Sequence, residues 1–218
     1  KTGDKNGDWT VIEDRGLRIY QTIYSDAMYI FGVDTSEGVE GGDYSTVTVF
    51  NRVTGEEAAF YKGLIEPDKL AKLLNEWGRK FNNALMVVEV NNHGLTALTV
   101  LKQMMYPTLY FRRSQFETIG TAYSDRLGWK TTKLTRPLLM DDLSQAVRED
   151  LLTIHSKETL DEMSTFVFDK NNNMVAPGTA HDDCIFSAAI AYQGFKTMYE
   201  KELTQINYTN HLPENYSY

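Results

Sequence analysis

The chain has 218 residues, of which 42% are hydrophobic, 24% charged and 12% aromatic, enough for one substantial core and unlike a disordered segment. Its net charge of −8 argues on its face against a polyanionic partner, no apolar run is long enough to span a bilayer, and no signal-peptide pattern opens it. The single cysteine, Cys184, excludes an intramolecular disulfide and fits a reducing compartment, and no Cys-His cluster has zinc spacing.

Residues 1–15 read as a polar lead-in, and the strand signal begins at residue 28. Residues 28–34 form a nearly continuous apolar run ending in Asp34, as in a strand covered on both faces. A loop with Gly38, Gly41 and Gly42 follows, then a Val- and Thr-rich second strand over 44–52. A turn at 53–56 returns the chain as a third strand over 57–63. Pro67 opens an amphipathic helix with Leu70, Leu73, Leu74 and Trp77 on one face. Residues 85–90 read as a buried strand, 91–94 as a turn, 95–105 as a helix ended by Pro107, and 108–112 as a short fifth strand.

Beyond this point the spacing predicts a hairpin excursion over 120–132, a helix from Thr135 to about residue 152, and a short helix over 156–166. A hairpin joins 166–168 to 174–176, a last helix spans 179–202, and residues from 204 read as a tail. Three meandering strands followed by helix, strand, helix and strand is the order of the RNase H-like fold. The expected architecture is therefore α/β, with a mixed five-stranded core sheet flanked by helices, in one domain with its core over 16–203.

Four carboxylates draw attention in that frame. Asp34 and Glu89 end apolar runs, and Asp182 and Asp183 open the last helix. Acids at the ends of buried strands are costly unless paired or bound to a cation. In an RNase H-like sheet the strands carrying Asp34 and Glu89 are neighbours, and the last helix packs across the same edge. Two divalent ions about 3.5–4 Å apart could then share a carboxylate, one activating a water and the other stabilising a leaving 3′ oxygen. Each acid also has a plain structural explanation: a first helical turn favours Asp182 and Asp183, Thr179 with Asp182 fits a capping box, and Asp34 could make an Asx turn. Glu89, inside Val-Val-Glu-Val, resists such an explanation most. Asp43 could assist a metal through water. His181 could support Asp182, His93 reads as a satisfied loop histidine, and Cys184 as core.

Charge is unevenly spread. Residues 112–136 carry six basic side chains against two acidic ones, a net +4 that leaves −12 for the remainder. Arg112 and Arg113 open this basic stretch, which reads as a solvated loop or as a polyanion-binding surface. No GxxxxGK[ST] phosphate loop occurs.

The segments YIFGVDTSEGVEGGDYSTVTVF, VVEVNNHG, GWKTTKLTRPLL and GTAHDDCIFSAAIAY resemble the nuclease domain of the large terminase subunit of tailed bacteriophages, over residues 16–199. The resemblance implies a metal-dependent endonuclease (Mg²⁺ or Mn²⁺) that cuts double-stranded concatemeric viral DNA during packaging. It places the catalytic acids at Asp34, Glu89, Asp182 and Asp183, with Asp183 the more direct ligand of the pair. It also implies a DNA-facing hairpin near 122–132, making Arg126, Lys130 and Lys133 phosphate-contact candidates, and little sequence specificity. An ATPase motor domain would precede this one, matching the missing phosphate loop and the start at Lys1. The implied partners are the portal protein and the small terminase subunit. The implied setting is the host cytoplasm at the procapsid portal, outside the mature virion, with the isolated domain a monomer away from any membrane. A Holliday-junction resolvase or RNase H shares the fold and acids, while an actin-like nucleotide-binding or docking module would leave the acids structural.

Overall fold

The computed structural model describes residues 12–112, 127–165, 167–168, 174–175 and 182–209. A hairpin of β1 (Ile12–Asp14) and β2 (Leu17–Ile19) precedes β3 (Tyr29–Asp34), β4 (Ser45–Asn51) and β5 (Glu57–Gly63). Then come α1 (Pro67–Lys80), β6 (Leu85–Val88), α2 (Asn92–Gln103), α3 (Thr135–Arg148), α4 (Lys157–Thr165), the two-residue strands β7 (Val167–Phe168) and β8 (Met174–Val175), and α5 (Asp183–Thr209). Strands β1 to β6 form one mixed sheet in the order β1-β2-β5-β4-β3-β6, antiparallel except where β6 pairs with β3. Strands β7 and β8 pair as the expected small hairpin.

The sheet has six strands, and its membership differs from the expectation at both edges. Residues 12–19 belong to it: Arg15 and Gly16 both have positive φ, at 51° and 86°, as a two-residue type I′ turn requires. Arginine is an unusual first residue for that turn, which hides the hairpin in the sequence. At the other edge, residues 108–112 form no full strand. Leu109 makes an isolated parallel bridge to Met86, and Trp129 makes the next one to Glu89, so two short segments share the exposed side of β6. The stretch 91–94, expected as a turn, is instead the start of α2, capped by Asn91 Oδ1 accepting from Gly94 N–H at 2.6 Å. Helix α3 stops at Arg148 rather than near 152, because Asp150 turns left-handed (φ 55°) and Leu151 N–H closes back on the Ala146 carbonyl.

Both faces of the sheet are covered. Phe31, Val33 and Val49 face Leu70, Leu74 and Trp77 of α1 and Leu98 and Leu101 of α2. Ile30, Phe50 and Val87 face Leu139 and Leu143 of α3 and Phe186 and Ile190 of α5. Strand alternation then assigns Ile30, Gly32 and Asp34 to the α5 face. Gly32 is what lets α5 lie so close: a Cβ there would stand 2.0 Å from the Ser187 carbonyl and 2.4 Å from Ala191 N. Among the described residues no helix is long and apolar enough to cross a membrane.

Candidate functional site

The site is assembled by register. Asp34 pairs with Thr46 of β4, and Thr46 pairs with Lys62 of β5, so the three share one row on one face of the sheet. On the other side β6 runs parallel with Val33 opposite Val88, and Glu89 N–H donates to the Val33 carbonyl at 2.9 Å, which sets Glu89 beside Asp34. Helix α5 crosses this row end-on. Thr46 Oγ1 donates to the Asp183 carbonyl at 2.7 Å, and Thr48 and Ser187 hydroxyls bond at 2.8 Å one turn further on. Asp34 and Asp183 thereby line one pocket of ≈ 300 Å³ whose walls include Thr35, Asn91, His93 and Asp43.

Asn91 ties the floor together. Its Nδ2 donates to the Thr35 carbonyl and to Glu89 Oε2, both at 3.1 Å, and its Oδ1 caps α2. Thr35 Oγ1 donates to the same Oδ1 at 3.2 Å. Close approach at Gly94, where a Cβ would stand 1.8 Å from the Glu89 carbonyl, seats α2 against this corner. An Asn-x-x-Gly cap before an apolar-periodic run is a legible helix start, and it is the signal that reading 91–94 as a turn missed.

Electrostatically the corner is overcrowded with acid. Burial first, and then Glu89, which also hydrogen-bonds it, push the Asp34 carboxyl well above the ordinary carboxylate range; Asp183 and Asp182 add to the shift. Asp182 is arranged differently from its neighbour. Its Oδ2 pairs with the Arg136 guanidinium, which stacks 4.3 Å from the Phe186 ring centroid. Burial raises the Asp182 carboxyl while Arg136 lowers it, and Glu162 and Asp43 raise it further. The sequence offered no sign of the Arg136 pairing, which spans 46 positions.

Among the described residues no three His, Cys, Asp or Glu side chains are already gathered into a cation-binding group. The donor chemistry nonetheless suits a hard divalent cation: Asp34, Glu89 and Asp183 contribute carboxylate oxygens, with the Thr35 hydroxyl and the Asn91 amide alongside. Burial and the neighbouring carboxylates favour the protonated form of Asp34, and a bound cation would supply the opposing charge. Asp43 lies exposed on the pocket rim, and His93, on the first turn of α2, lines the same pocket. Cys184 is buried, as expected of a core position. Lys130 and Lys133 are exposed just past the Trp129–Glu89 bridge, and Arg112 is half-buried. Arg113, Arg126, His181 and the Thr179 cap lie outside the described residues.

No protein-family model matches the chain. Among solved structures, the large terminase nuclease from thermophilic phage G20c with bound magnesium superposes at a TM-score of 0.65, with 18% identity over 85% of this chain and 90% of that one. The cobalt-bound form of the same nuclease gives 0.64 at 17% identity over 85% and 90%. The large terminase nuclease domain of Thermus phage P74-26 gives 0.63 at 18% identity over 84% and 88%. The chain has the fold of these RNase H-like nuclease domains.

Proposed function

We propose that this chain is a divalent-metal-dependent DNA endonuclease that cuts double-stranded viral DNA concatemers during genome packaging. The observation that carries the reading is the shared acidic corner of Asp34, Glu89 and Asp183 in a fold of this type. The solved relatives that carry magnesium and cobalt support the same donor set being used for metal here, with Mg²⁺ or Mn²⁺ as the natural ions.

Asp34, Glu89 and Asp183 would hold the ions, with Asp43 assisting through water. Bound divalent cations at such a site supply charge that activates a water and stabilises a leaving 3′ oxygen. The protein's own groups do the remainder. Asn91 orients Glu89 by the bond to its Oε2. Thr46 fixes the main chain of Asp183. The guanidinium of Arg136, anchored by Asp182 and Phe186, leaves Asp183 as the acid of the pair that faces the pocket. Lys130, Lys133 and Arg112, with Arg113 and Arg126, would contact phosphates without reading bases. The portal protein and the small terminase subunit would be partners at the procapsid in the host cytoplasm.

Plasmid nicking and linearisation test this. Cleavage should require Mg²⁺ or Mn²⁺ and vanish in Asp34→Ala or Asp183→Ala with the circular dichroism spectrum unchanged. Full activity in excess chelator would overturn the proposal. Preference for four-way junctions or RNA–DNA hybrids over plain duplex would redirect it to a resolvase or RNase H.

A further inference from the structure

Helix α5 delivers Asp183 to the pocket, yet its N-terminus is capped by a side chain 22 positions earlier in the chain. Glu162 of α4 accepts from Cys184 N–H at 2.9 Å and from Ile185 N–H at 3.1 Å through one oxygen, Oε2. Its other oxygen faces Lys62 Nζ at 3.4 Å, and only 11% of the Glu162 side chain is exposed. Lys62 in turn reaches Cys184 Sγ at 3.4 Å and lies 5.1 Å from the centroid of the Tyr44 ring, which lines the pocket.

From this geometry, and resting on the metal-site reading above, we infer that Glu162 is a positioning residue: held by Lys62, it sets the orientation of Asp183 and so the affinity of the pocket for divalent cation. The peptide group that follows the Asp183 α-carbon is gripped at both its oxygen and its nitrogen. Thr46 takes its carbonyl, and Glu162 takes the next two amides. Thr46 and Lys62 are direct cross-strand partners, in the same row as Asp34. One row of the sheet therefore carries Asp34 and, through Thr46 and Lys62, both clamps on Asp183. A rotation of the first turn of α5 would move Asp183 relative to Asp34 while leaving the buried body of the helix in place. The arrangement matches the way partners behind a ligand orient it and tune affinity.

The test uses the 218-residue chain with Mn²⁺ alone as the probe, read by calorimetry, together with amide hydrogen exchange at Cys184 and Ile185. Glu162→Ala is expected to speed exchange at both amides and to weaken Mn²⁺ binding by about 10–100-fold. Glu162→Gln keeps an acceptor oxygen over the two amides but turns its amide nitrogen toward Lys62, so it should bind Mn²⁺ more tightly than Glu162→Ala and less tightly than wild type. Glu162→Asp, one methylene short, should behave as the alanine variant does, and decides the matter if Glu162→Ala does not fold. Faster exchange with Mn²⁺ affinity unchanged within about twofold, the outcome of an ordinary helix cap, would overturn the inference. A wild-type chain that neither binds Mn²⁺ nor cuts DNA would instead overturn the nuclease reading itself.

Discussion

The Thr46 hydroxyl donates to the main-chain carbonyl of Asp183 at 2.7 Å, joining the second residue of β4 to the first of α5. Because Thr46 is also the cross-strand partner of Asp34, this bond fixes how two carboxylates from distant parts of the chain meet. Asp182, one residue earlier, is engaged with Arg136 instead.

Adjacent acids should accordingly differ in mutation. Asp183→Asn is expected to lower metal-dependent plasmid cleavage by more than about a hundredfold, since even groups that only orient a ligand contribute about 10–100-fold. Asp182→Asn should lose less, because its amide can keep an acceptor toward Arg136. Equal losses in a side-by-side time course would contradict the division of roles.

Relief of charge crowding should be visible as heat stability. The Asp34 carboxyl is raised in the folded state, so the stability it contributes is present at low pH and lost as pH rises toward its folded value. In metal-free buffer at pH 8, Asp34→Asn should melt no lower than wild type, and Mn²⁺ should raise the wild-type midpoint but not the variant's. A variant that melts far below wild type without metal would show that Asp34 is needed for folding.

Packing of α5 on β3 leaves no space at Gly32. Gly32→Ala places a methyl 2.0 Å from the Ser187 carbonyl, and overpacking of this kind costs about 1–3 kcal/mol or more. Urea unfolding should register a loss of at least that size. A midpoint unchanged by the alanine would mean that α5 can lift off the sheet freely.

A second buried carboxyl stands apart from the pocket. Glu57, fully buried, accepts from His155 N–H at 2.6 Å, Ser156 N–H at 2.7 Å and Ser156 Oγ at 2.8 Å. Burial lifts its pKa to about 7, against the lowering effect of those bonds and of Arg18. With the folded value above the unfolded one, stability falls as pH rises from the ordinary glutamate range to about 7. Glu57→Gln can keep both amide bonds on its carbonyl oxygen and donate to the Ser156 hydroxyl. Melting curves should show the variant flatter across that window and more stable than wild type at pH 8.

Exposed Lys130 and Lys133 sit past the bridge that flanks Glu89. Replacing either by Ala should weaken duplex binding in Ca²⁺ equally for unrelated sequences. The slope of log affinity against log salt should fall by about 1 per lysine. Sequence-dependent losses in a fluorescence titration would argue for base contact instead.

Much of this protein was legible without coordinates because it is written in local period and composition. The apolar runs before Asp34 and Glu89 declare buried strands, Leu70, Leu74 and Trp77 declare one face of α1, and Pro67 marks its start. Those same runs single out the acids that end them. The β1–β2 hairpin escaped because its turn is made by Arg15 in a left-handed conformation, and the edge beside β6 because two fragments divide a place that one strand could have filled. What only the tertiary structure decided is which acid answers to which partner. Arg136 takes Asp182 from 46 positions away, Glu162 clamps α5 from 22, and strand register places Lys62 and Thr46 in the row of Asp34. Sequence by itself determined most of the elements and the acids at their ends, since helix and strand patterning depends on near neighbours. The docking of α5 against Gly32 settled how those acids face one another, since register and helix-to-sheet contact exist only once distant segments have packed.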